Sequence, residues 1–295
     1  KETTISLLQG FGRELYAKFA PTAFKEAFWK IFDKLEINFR TIQIISNNPT
    51  IPWELMCPIR ADRSEECGYL GLEFNVGRWH VSSPNTGQLD SPPPSINVDK
   101  LALIAPQYNG DSYLPEQKKE IQTLETFKGY HRVDGKLNSL KTLFEDIPEG
   151  IIHFAGHGEV LKDKETGIHE YAILLEDGTQ LDLLTWRGLV ASRRKNHPLF
   201  FFNACDIGQA HQVANFVDGW APAVLEAGAS GYIGGLWPLG DKGAAEFAVQ
   251  FYQAVEESIK KNGYANISQI LKDTRKKFLE NGDTTFMAYI YYGDP

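Results

Sequence analysis

Two residues in this sequence have the side chains and the surroundings for nucleophilic chemistry, His157 and Cys205. Each follows an apolar run typical of a buried strand, IIHFA at 151–155 and LFFFN at 199–203. Because reactive groups collect at the carboxyl ends of parallel strands, we expect the two side chains to lie together. A thiolate attacks a peptide carbonyl, and an adjacent imidazole deprotonates the thiol and then protonates the leaving amine. The pair therefore predicts a cysteine nucleophile with a histidine base.

Small residues surround both groups. Gly156 and Gly158 flank the histidine and Ala204 precedes the cysteine, which leaves room for the main chain of a substrate. The N–H groups of Gly158 and Cys205 are the predicted donors of an oxyanion hole. A lone cysteine or histidine beside an apolar strand is more often a buried core residue. The pair at two strand tips, flanked by glycine and alanine, favours catalysis.

His153 and His157 form an HxxxH spacing, which invites a metal interpretation. In HExxH sites both histidines lie on one face of a helix and a glutamate follows the first. Here Phe154 follows His153, and the local pattern is that of a strand, along which residues four apart are widely separated. We therefore expect no metal and no other cofactor, and expect His153 to pack beneath the site. Cys57 and Cys67 lack histidines at zinc-site spacing and are predicted to be ordinary thiols.

Apolar periodicity predicts the helices and strands that carry these residues. Residues 4–35 have apolar positions at helical spacing, and a turn at Asp177-Gly178 predicts a hairpin. Strands are predicted at 38–46, 72–79, 101–105, 151–155, 199–203, 231–236 and 287–292, and helices at 116–127, 218–228, 241–260 and 266–280. Near-continuous apolar strands alternating with helices predict an α/β fold whose mainly parallel sheet is flanked by helices.

One stretch has the composition of a linker. Residues 81–97 are rich in Ser, Pro, Asn and Gly, with consecutive prolines at 92–94. We therefore predict an N-terminal companion lobe at residues 1–80, a linker at 81–99 and a catalytic domain at 100–295.

Composition argues against several classes of protein. The 295 residues are 42% hydrophobic and carry a net charge of -8, without a dense Lys/Arg stripe, so we expect no direct nucleic-acid binding. No apolar run is long enough to cross a bilayer, so we expect no membrane insertion. Three cysteines without a CxxC motif argue against a disulfide framework and favour the cytoplasm. The start at Lys1 leads us to expect a fragment of a longer protein.

Five segments together resemble the CHAT family of bacterial caspase-like cysteine peptidases, of clan CD type. They are IPWEL at 51–55, HFAGHG at 153–158, FFNACDIG at 201–208, GGLWPLGD at 234–241 and the closing YGDP at 292–295. His157 also precedes Cys205 by 48 residues, similar to the caspase pattern of a histidine about 50 residues upstream of the cysteine. The resemblance covers the chain from about residue 37 to its end.

The resemblance implies a caspase-like fold with a degenerate N-terminal companion lobe, and a peptidase mechanism that uses the His–Cys dyad. CHAT domains are commonly joined to sensor or repeat modules, and several act in bacterial defence, including CRISPR-linked effectors and gasdermin activation. The resemblance therefore implies a regulated defence effector that cleaves a specific protein or peptide. It also implies that a sensor module, a repeat module or an activating partner controls this effector. Two alternatives stay open: a scaffold that binds partners without cleaving them, and an acyl transferase or other Cys–His enzyme.

The resemblance also implies where the substrate pocket lies. Its floor is expected at three strand tips, namely Asn203, residues 107–109 and Trp237. A charged substrate side chain needs an opposite charge to offset its lost hydration. Asn203 is neutral and Trp237 offers an apolar wall, so we expect a neutral residue, more often apolar, before the scissile bond. The loops after Gly158 and around residues 237–242 are the expected mobile elements of the site.

Asp206 carries the competing hypothesis for the pocket. Together with Asn203 it departs from the caspase cysteine motif, which argues against aspartate selectivity. If Asp206 points into the pocket, with Asp111 and Asp241 as further carboxylates within loop reach, a basic residue is preferred instead.

Overall fold

The computed structural model describes residues 2–49, 51–82, 87–146, 150–162, 169–190, 196–205, 215–237 and 239–295, and for Cys205 it describes the backbone. The helices of these residues are α1 (Glu2–Phe19), α2 (Thr22–Leu35), α3 (Leu70–Glu73), α4 (Gln117–Leu124), α5 (Leu137–Glu145), α6 (Leu183–Leu189), α7 (Asn215–Glu226), α8 (Asp241–Asn262) and α9 (Ile267–Asn281). The strands are β1 (Thr41–Ser46), β2 (Asn75–His80), β3 (Leu101–Ile104), β4 (Tyr130–Val133), β5 (Ile151–Lys162), β6 (His169–Leu174), β7 (Gln180–Asp182), β8 (Leu199–Cys205), β9 (Gly231–Gly235) and β10 (Tyr289–Tyr292).

The main sheet has the order β1-β2-β10-β9-β8-β5-β3-β4. All of its neighbouring strands are parallel except β9 and β10, which pair antiparallel. The predicted mainly parallel α/β sheet is therefore confirmed. Beyond its edge, β5 continues into an antiparallel ribbon with β6 and β7, which confirms the predicted hairpin. The strands β5 and β8 thus lie side by side in the interior of the sheet.

Both faces of the sheet are covered, which explains why its central strands are apolar throughout. In β8, Phe201 packs into a core with the side of α8 that carries Phe247 and Phe251. Phe200 and Phe202 belong to the opposite core, which contains Trp186 of α6 and residues of α7. The sheet is therefore a rigid middle layer on which the tips of β5 and β8 are fixed.

The long helix α8 begins at the predicted residue and continues to Asn262, beyond the predicted end at 260. Asp241 lies in its first turn, where a carboxylate interacts favourably with the exposed N–H groups. Gly263 ends the helix with a φ of 79°, a left-handed conformation that glycine adopts without a steric cost. Helix α9 begins at the cap residue Asn266, whose side chain accepts a hydrogen bond from the Gln269 N–H.

The N-terminal residues belong to the same sheet as the rest of the chain. β1 and β2 pair with each other, and Arg78 of β2 is in register with Tyr292 of β10. The described part of the predicted linker, residues 87–99, contains no helix or strand. It lies against β2, since the Trp79 Nε1–H donates to the Leu89 carbonyl at 3.3 Å. The division at residues 1–80, 81–99 and 100–295 stays a prediction.

Four elements were not expected from the sequence, α3, β4, α5 and α6, and α3 includes residues 72–73, which were predicted as the start of a strand. The predicted helical stretch at 4–35 divides into α1 and α2, with Pro21 preceding the second helix. The strand expected at 151–155 continues as far as Lys162 in β5. Within the described residues, no helix has the length and apolar character needed to span a membrane.

Candidate active site

The register of β5 and β8 brings His157 and Cys205 together. These parallel strands align His157 with Cys205, and Ala155 with Asn203. Adjacent strands lie about 4.8 Å apart, so the two backbones are immediate neighbours. Cys205 is the last residue of β8, at the predicted strand tip, whereas His157 lies within β5, which continues to Lys162. Their catalytic roles stay predictions.

The His157 ring is held by the segment between β3 and α4. Its Nε2 lies 2.7 Å from the carbonyl oxygen of Ser112, at the end of the short helical turn Gly110–Ser112. A carbonyl oxygen only accepts hydrogen bonds, so Nε2 carries the proton. In the neutral ring Nδ1 is then the basic nitrogen. The residue is 1% exposed, which restricts the ring to this orientation.

Tyr108 supports the same histidine from a second side. Its hydroxyl accepts a hydrogen bond from the His157 backbone N–H at 3.1 Å and donates one to the Leu174 carbonyl at 2.7 Å. The Tyr108 and His157 rings lie with their centroids 4.5 Å apart. A Cβ atom at Gly156 would come within 2.5 Å of this hydroxyl. Glycine at this position therefore makes room for Tyr108.

A buried polar network lies beneath the dyad strands. His153 is fully buried; its Nε2 lies 2.7 Å from Glu120 Oε1, and its Nδ1 is hydrogen-bonded to the Tyr252 hydroxyl at 3.0 Å. The expectation that His153 packs beneath the site is confirmed. Within the part of the chain that the structure describes, no three His, Cys, Asp or Glu side chains are grouped so as to hold a metal ion.

Asn203, the predicted pocket floor, is 2% exposed and its amide is fully engaged. Its Nδ2 donates to Glu120 Oε1 at 2.7 Å and to the Ala244 carbonyl at 3.1 Å, and its Oδ1 accepts from the Tyr289 hydroxyl. Both amide protons and the amide oxygen are thus committed to the protein interior. A charged substrate group would have to displace one of these partners.

The other predicted pocket residues lie at different depths. Trp237 is half-buried just after β9 and packs against both hydrophobic cores. Asp111 is exposed in the turn that carries Ser112. Asp241 accepts a hydrogen bond from the Glu116 N–H at 2.9 Å, so its carboxylate fixes the start of α4. Asp206 lies outside the described residues.

Gly158, the predicted oxyanion donor, lies within a continuous strand. It is buried in β5 opposite Ile173 of β6, and the strand continues to Lys162. The expected loop after Gly158 does not begin at this residue, because residues 159–162 are strand, and residues 163–168 lie outside the described residues. The antiparallel ribbon provides pairing partners that the local sequence does not show.

The two remaining cysteines are buried and are poor nucleophiles at neutral pH. Burial raises the pKa of Cys57 to about 12 and that of Cys67 to about 12. Both thiols therefore stay protonated at neutral pH, and a protonated thiol is a poor nucleophile. This agrees with their predicted status as ordinary thiols.

The family model of the CHAT domain matches residues 13–292. The chain belongs to the CHAT family. Among curated proteins, none matches this CHAT chain significantly.

Solved structures share the fold of this CHAT domain at low sequence identity. The Arg-specific cysteine proteinase gingipain R has a TM-score of 0.59 at 14% identity, over 96% of this chain and 69% of that chain. The Porphyromonas gingivalis RgpB complex of pro- and mature domains has a TM-score of 0.54 at 13% identity, over 96% and 71% of the two chains. Saccharomyces cerevisiae separase, solved with securin, has a TM-score of 0.51 at 16% identity, over 87% of this chain and 16% of that chain. The CHAT domain therefore has the caspase-like fold of clan CD cysteine peptidases.

Proposed function

We propose that this CHAT domain is a cysteine endopeptidase in which Cys205 is the nucleophile and His157 the general base and acid. One observation carries the proposal: the Ser112 carbonyl accepts from His157 Nε2 at 2.7 Å, on a residue in register with Cys205. The bond keeps a proton on Nε2 and makes Nδ1 the basic nitrogen.

The chemical steps follow from this arrangement. The Cys205 thiol gives its proton to His157 Nδ1, and the thiolate attacks the peptide carbonyl carbon to form a C–S bond. The N–H groups of Gly158 and Cys205 stabilise the oxyanion. His157 then gives the proton to the leaving amine as the C–N bond breaks. Water, deprotonated by the same imidazole, hydrolyses the thioester and releases the acid.

We expect the residue before the scissile bond to be neutral. The support is that Asn203 has no free hydrogen-bonding group and that Trp237 is a half-buried aromatic at a neighbouring strand tip. A peptide library that varies only this position tests the expectation. A strong preference for Arg or Lys contradicts it and implicates Asp206 first, with Asp111 and Asp241 next.

Family membership supports the wider context of the proposal. We propose that the substrate is a specific protein partner, that a sensor module, repeat module or activating partner controls the peptidase, and that the setting is bacterial defence in the cytoplasm. Poor activity of this chain alone, and stimulation by an added partner, is the expected behaviour. Full turnover without any activator contradicts the regulatory part.

The dyad is tested by Cys205→Ala and His157→Ala, with Cys67→Ala as the matched thiol control. Mass spectrometry of the cleavage products from a proteome digest is the readout. Loss of either dyad member is expected to reduce cleavage by orders of magnitude, while Cys67→Ala retains it. If Cys205→Ala cleaves at the wild-type rate, the proposal is wrong. A folded wild type that binds an added partner and stays inert in its presence favours the scaffold.

A further inference from the structure

A single carboxylate oxygen connects the two strands that carry the dyad. Glu120 of α4 is 3% exposed, and its Oε1 lies 2.7 Å from His153 Nε2 of β5 and 2.7 Å from Asn203 Nδ2 of β8. His153 stands four residues before His157, and Asn203 stands two residues before Cys205. The position of this oxygen is therefore transmitted to both dyad residues over short lengths of strand.

His153 and Asn203 each form further hydrogen bonds besides the one to Glu120. His153 is hydrogen-bonded to Tyr252 of α8, and Asn203 to the Ala244 carbonyl of α8 and to Tyr289 of β10. Hydrogen bonds in a buried network of this kind are stronger than in water, and each holds its neighbours in place. Neither strand can move relative to Glu120 without breaking a buried bond.

A second residue of α4 supports the same region. Gln117 Nε2 donates to the Ala155 carbonyl at 2.8 Å and to the Pro106 carbonyl at 3.0 Å. Ala155 lies two residues before His157, and Pro106 begins the segment that carries Tyr108 and Ser112. Helix α4 thus contacts β5, β8 and the segment that orients the His157 ring.

We propose that Glu120 is a positioning residue of the peptidase reaction, whose Oε1 holds β5 and β8, the strands that carry His157 and Cys205, in place against α4. The proposal rests on the dyad proposed above. Its physical basis is that reacting groups must be held in a near-attack geometry, and a misplacement of about 1 Å can cost about 100-fold in rate. For this role, the length of the side chain, which places Oε1 between the two strands, matters more than its negative charge.

Two substitutions separate reach from charge. Glu120→Gln keeps the length of the side chain and an acceptor oxygen, while Glu120→Asp keeps the charge and withdraws the oxygen by one methylene. Steady-state kinetics on a fluorogenic peptide with a neutral residue before the scissile bond give kcat and KM separately. We expect Glu120→Gln to stay within about 3-fold of wild type, and Glu120→Asp to lose about 10-fold or more in kcat with little change in KM.

Glu54→Asp is the matched control. Glu54 is equally buried, at 3% exposure, but its carboxylate binds Arg78 of β2, away from β5 and β8. We expect this control to lower stability in urea unfolding and to leave kcat of the folded protein unchanged. A purely structural role for Glu120 predicts the same behaviour for Glu120→Asp.

The outcomes distinguish this proposal from the dyad itself. If Cys205→Ala, measured alongside, keeps wild-type activity, the proposed function fails whatever the Glu120 variants do. If Cys205→Ala is inactive and folded Glu120→Asp has the wild-type kcat, the positioning role alone is overturned. It is equally overturned if Glu120→Gln loses kcat and Glu120→Asp does not, because charge then matters and reach does not.

Discussion

At the scale of single residues, the surroundings of each thiol determine its reactivity. Cys57 and Cys67 are buried, and burial raises the pKa of each to about 12. A group with a raised acid pKa holds its proton until the pH approaches that value, so the thiolate fraction of both is negligible near pH 7. Cys205 stands beside His157, whose ring stabilises a thiolate in the proposed mechanism.

Alkylation should therefore discriminate between the three cysteines. Brief treatment of the folded protein with iodoacetamide near pH 7.5 is expected to modify Cys205 and to spare Cys57 and Cys67, as read by peptide mass mapping. Unfolding in urea before treatment is the control, and it should make all three react. Modification of Cys57 as fast as Cys205 in the folded protein contradicts this prediction.

We expect the hydroxyl oxygen of Tyr108 to contribute measurably to stability and to kcat. Tyr108→Phe removes the acceptor of the His157 N–H and the donor to the Leu174 carbonyl but keeps the ring against the histidine. The buried His157 N–H loses its partner, at a cost of about 1–3 kcal/mol, and the part-buried Leu174 carbonyl loses a donor. We expect lower stability and a kcat reduced about 10-fold, since the histidine is held less firmly.

The matched control for this prediction is Tyr113→Phe, because Tyr113 lies in the same segment and is 59% exposed. Urea unfolding and steady-state kinetics should show little change for it. Equal kinetics for Tyr108→Phe and wild type would mean that the hydroxyl contributes nothing to orienting His157.

At the scale of elements, strand β5 pairs first in the main sheet and then in the antiparallel ribbon. Between these two parts there is no room for a side chain. Strand β5 pairs with β3 and β8 up to the dyad and then with β6 in the antiparallel ribbon. Gly156 lies at the change of partner, where the Tyr108 hydroxyl approaches the backbone. A Cβ there would lie 2.5 Å from this hydroxyl and 2.8 Å from Phe154 Cζ.

Gly156→Ala is consequently expected to displace Tyr108 or the Phe154 ring. Overpacking of this kind costs about 1–3 kcal/mol, and we expect a lower urea midpoint and reduced kcat. Gly188→Ala in α6 is the control, since no atom lies within 4 Å of its Cβ position and alanine favours a helix. A Gly156→Ala protein as stable as wild type would contradict the close approach of Tyr108.

At the scale of the whole molecule, two of the five family segments build the fold and lie outside the candidate site. Glu54 of the IPWEL segment forms a buried ion pair with Arg78 of β2, and Arg78 also donates to the Pro49 carbonyl at 3.0 Å. Gly293 of the closing YGDP segment donates its N–H to the Arg78 carbonyl at 3.0 Å. Arg78 thus connects three parts of the chain: the IPWEL segment, strand β2 and the closing YGDP segment.

Breaking this ion pair should be costly. Glu54→Ala leaves the Arg78 guanidinium buried without a counter-charge, and we expect a loss of about 3–5 kcal/mol in the free energy of unfolding. Glu14→Ala is the control, because its pair with Lys18 is solvent-exposed and contributes below about 1 kcal/mol. Urea unfolding measures both. A Glu54→Ala loss as small as that of Glu14→Ala would show that the buried pair is not a stabilising connection.

Short-range patterns in the sequence were enough to predict much of the sheet and the location of the candidate site. Apolar runs located β5, β8 and β9, helical periodicity located α8 and α9, and glycine and alanine around His157 and Cys205 marked the candidate site. β4 was missed because its four residues are mostly outside the core and show no apolar run. The short helices α5 and α6 lack the length that makes periodicity recognisable.

The groups that hold the site together became visible only in the folded chain. The Ser112 carbonyl meets His157 across 45 residues of sequence, and Glu120 meets Asn203 across 83. A backbone carbonyl has no sequence signature, and a glutamate on a short, largely polar helix resembles a solvated residue. Their contacts depend on where packing places α4 and its preceding segment against the sheet. That placement pairs buried polar groups with partners far away in the sequence, which a local sequence pattern does not encode.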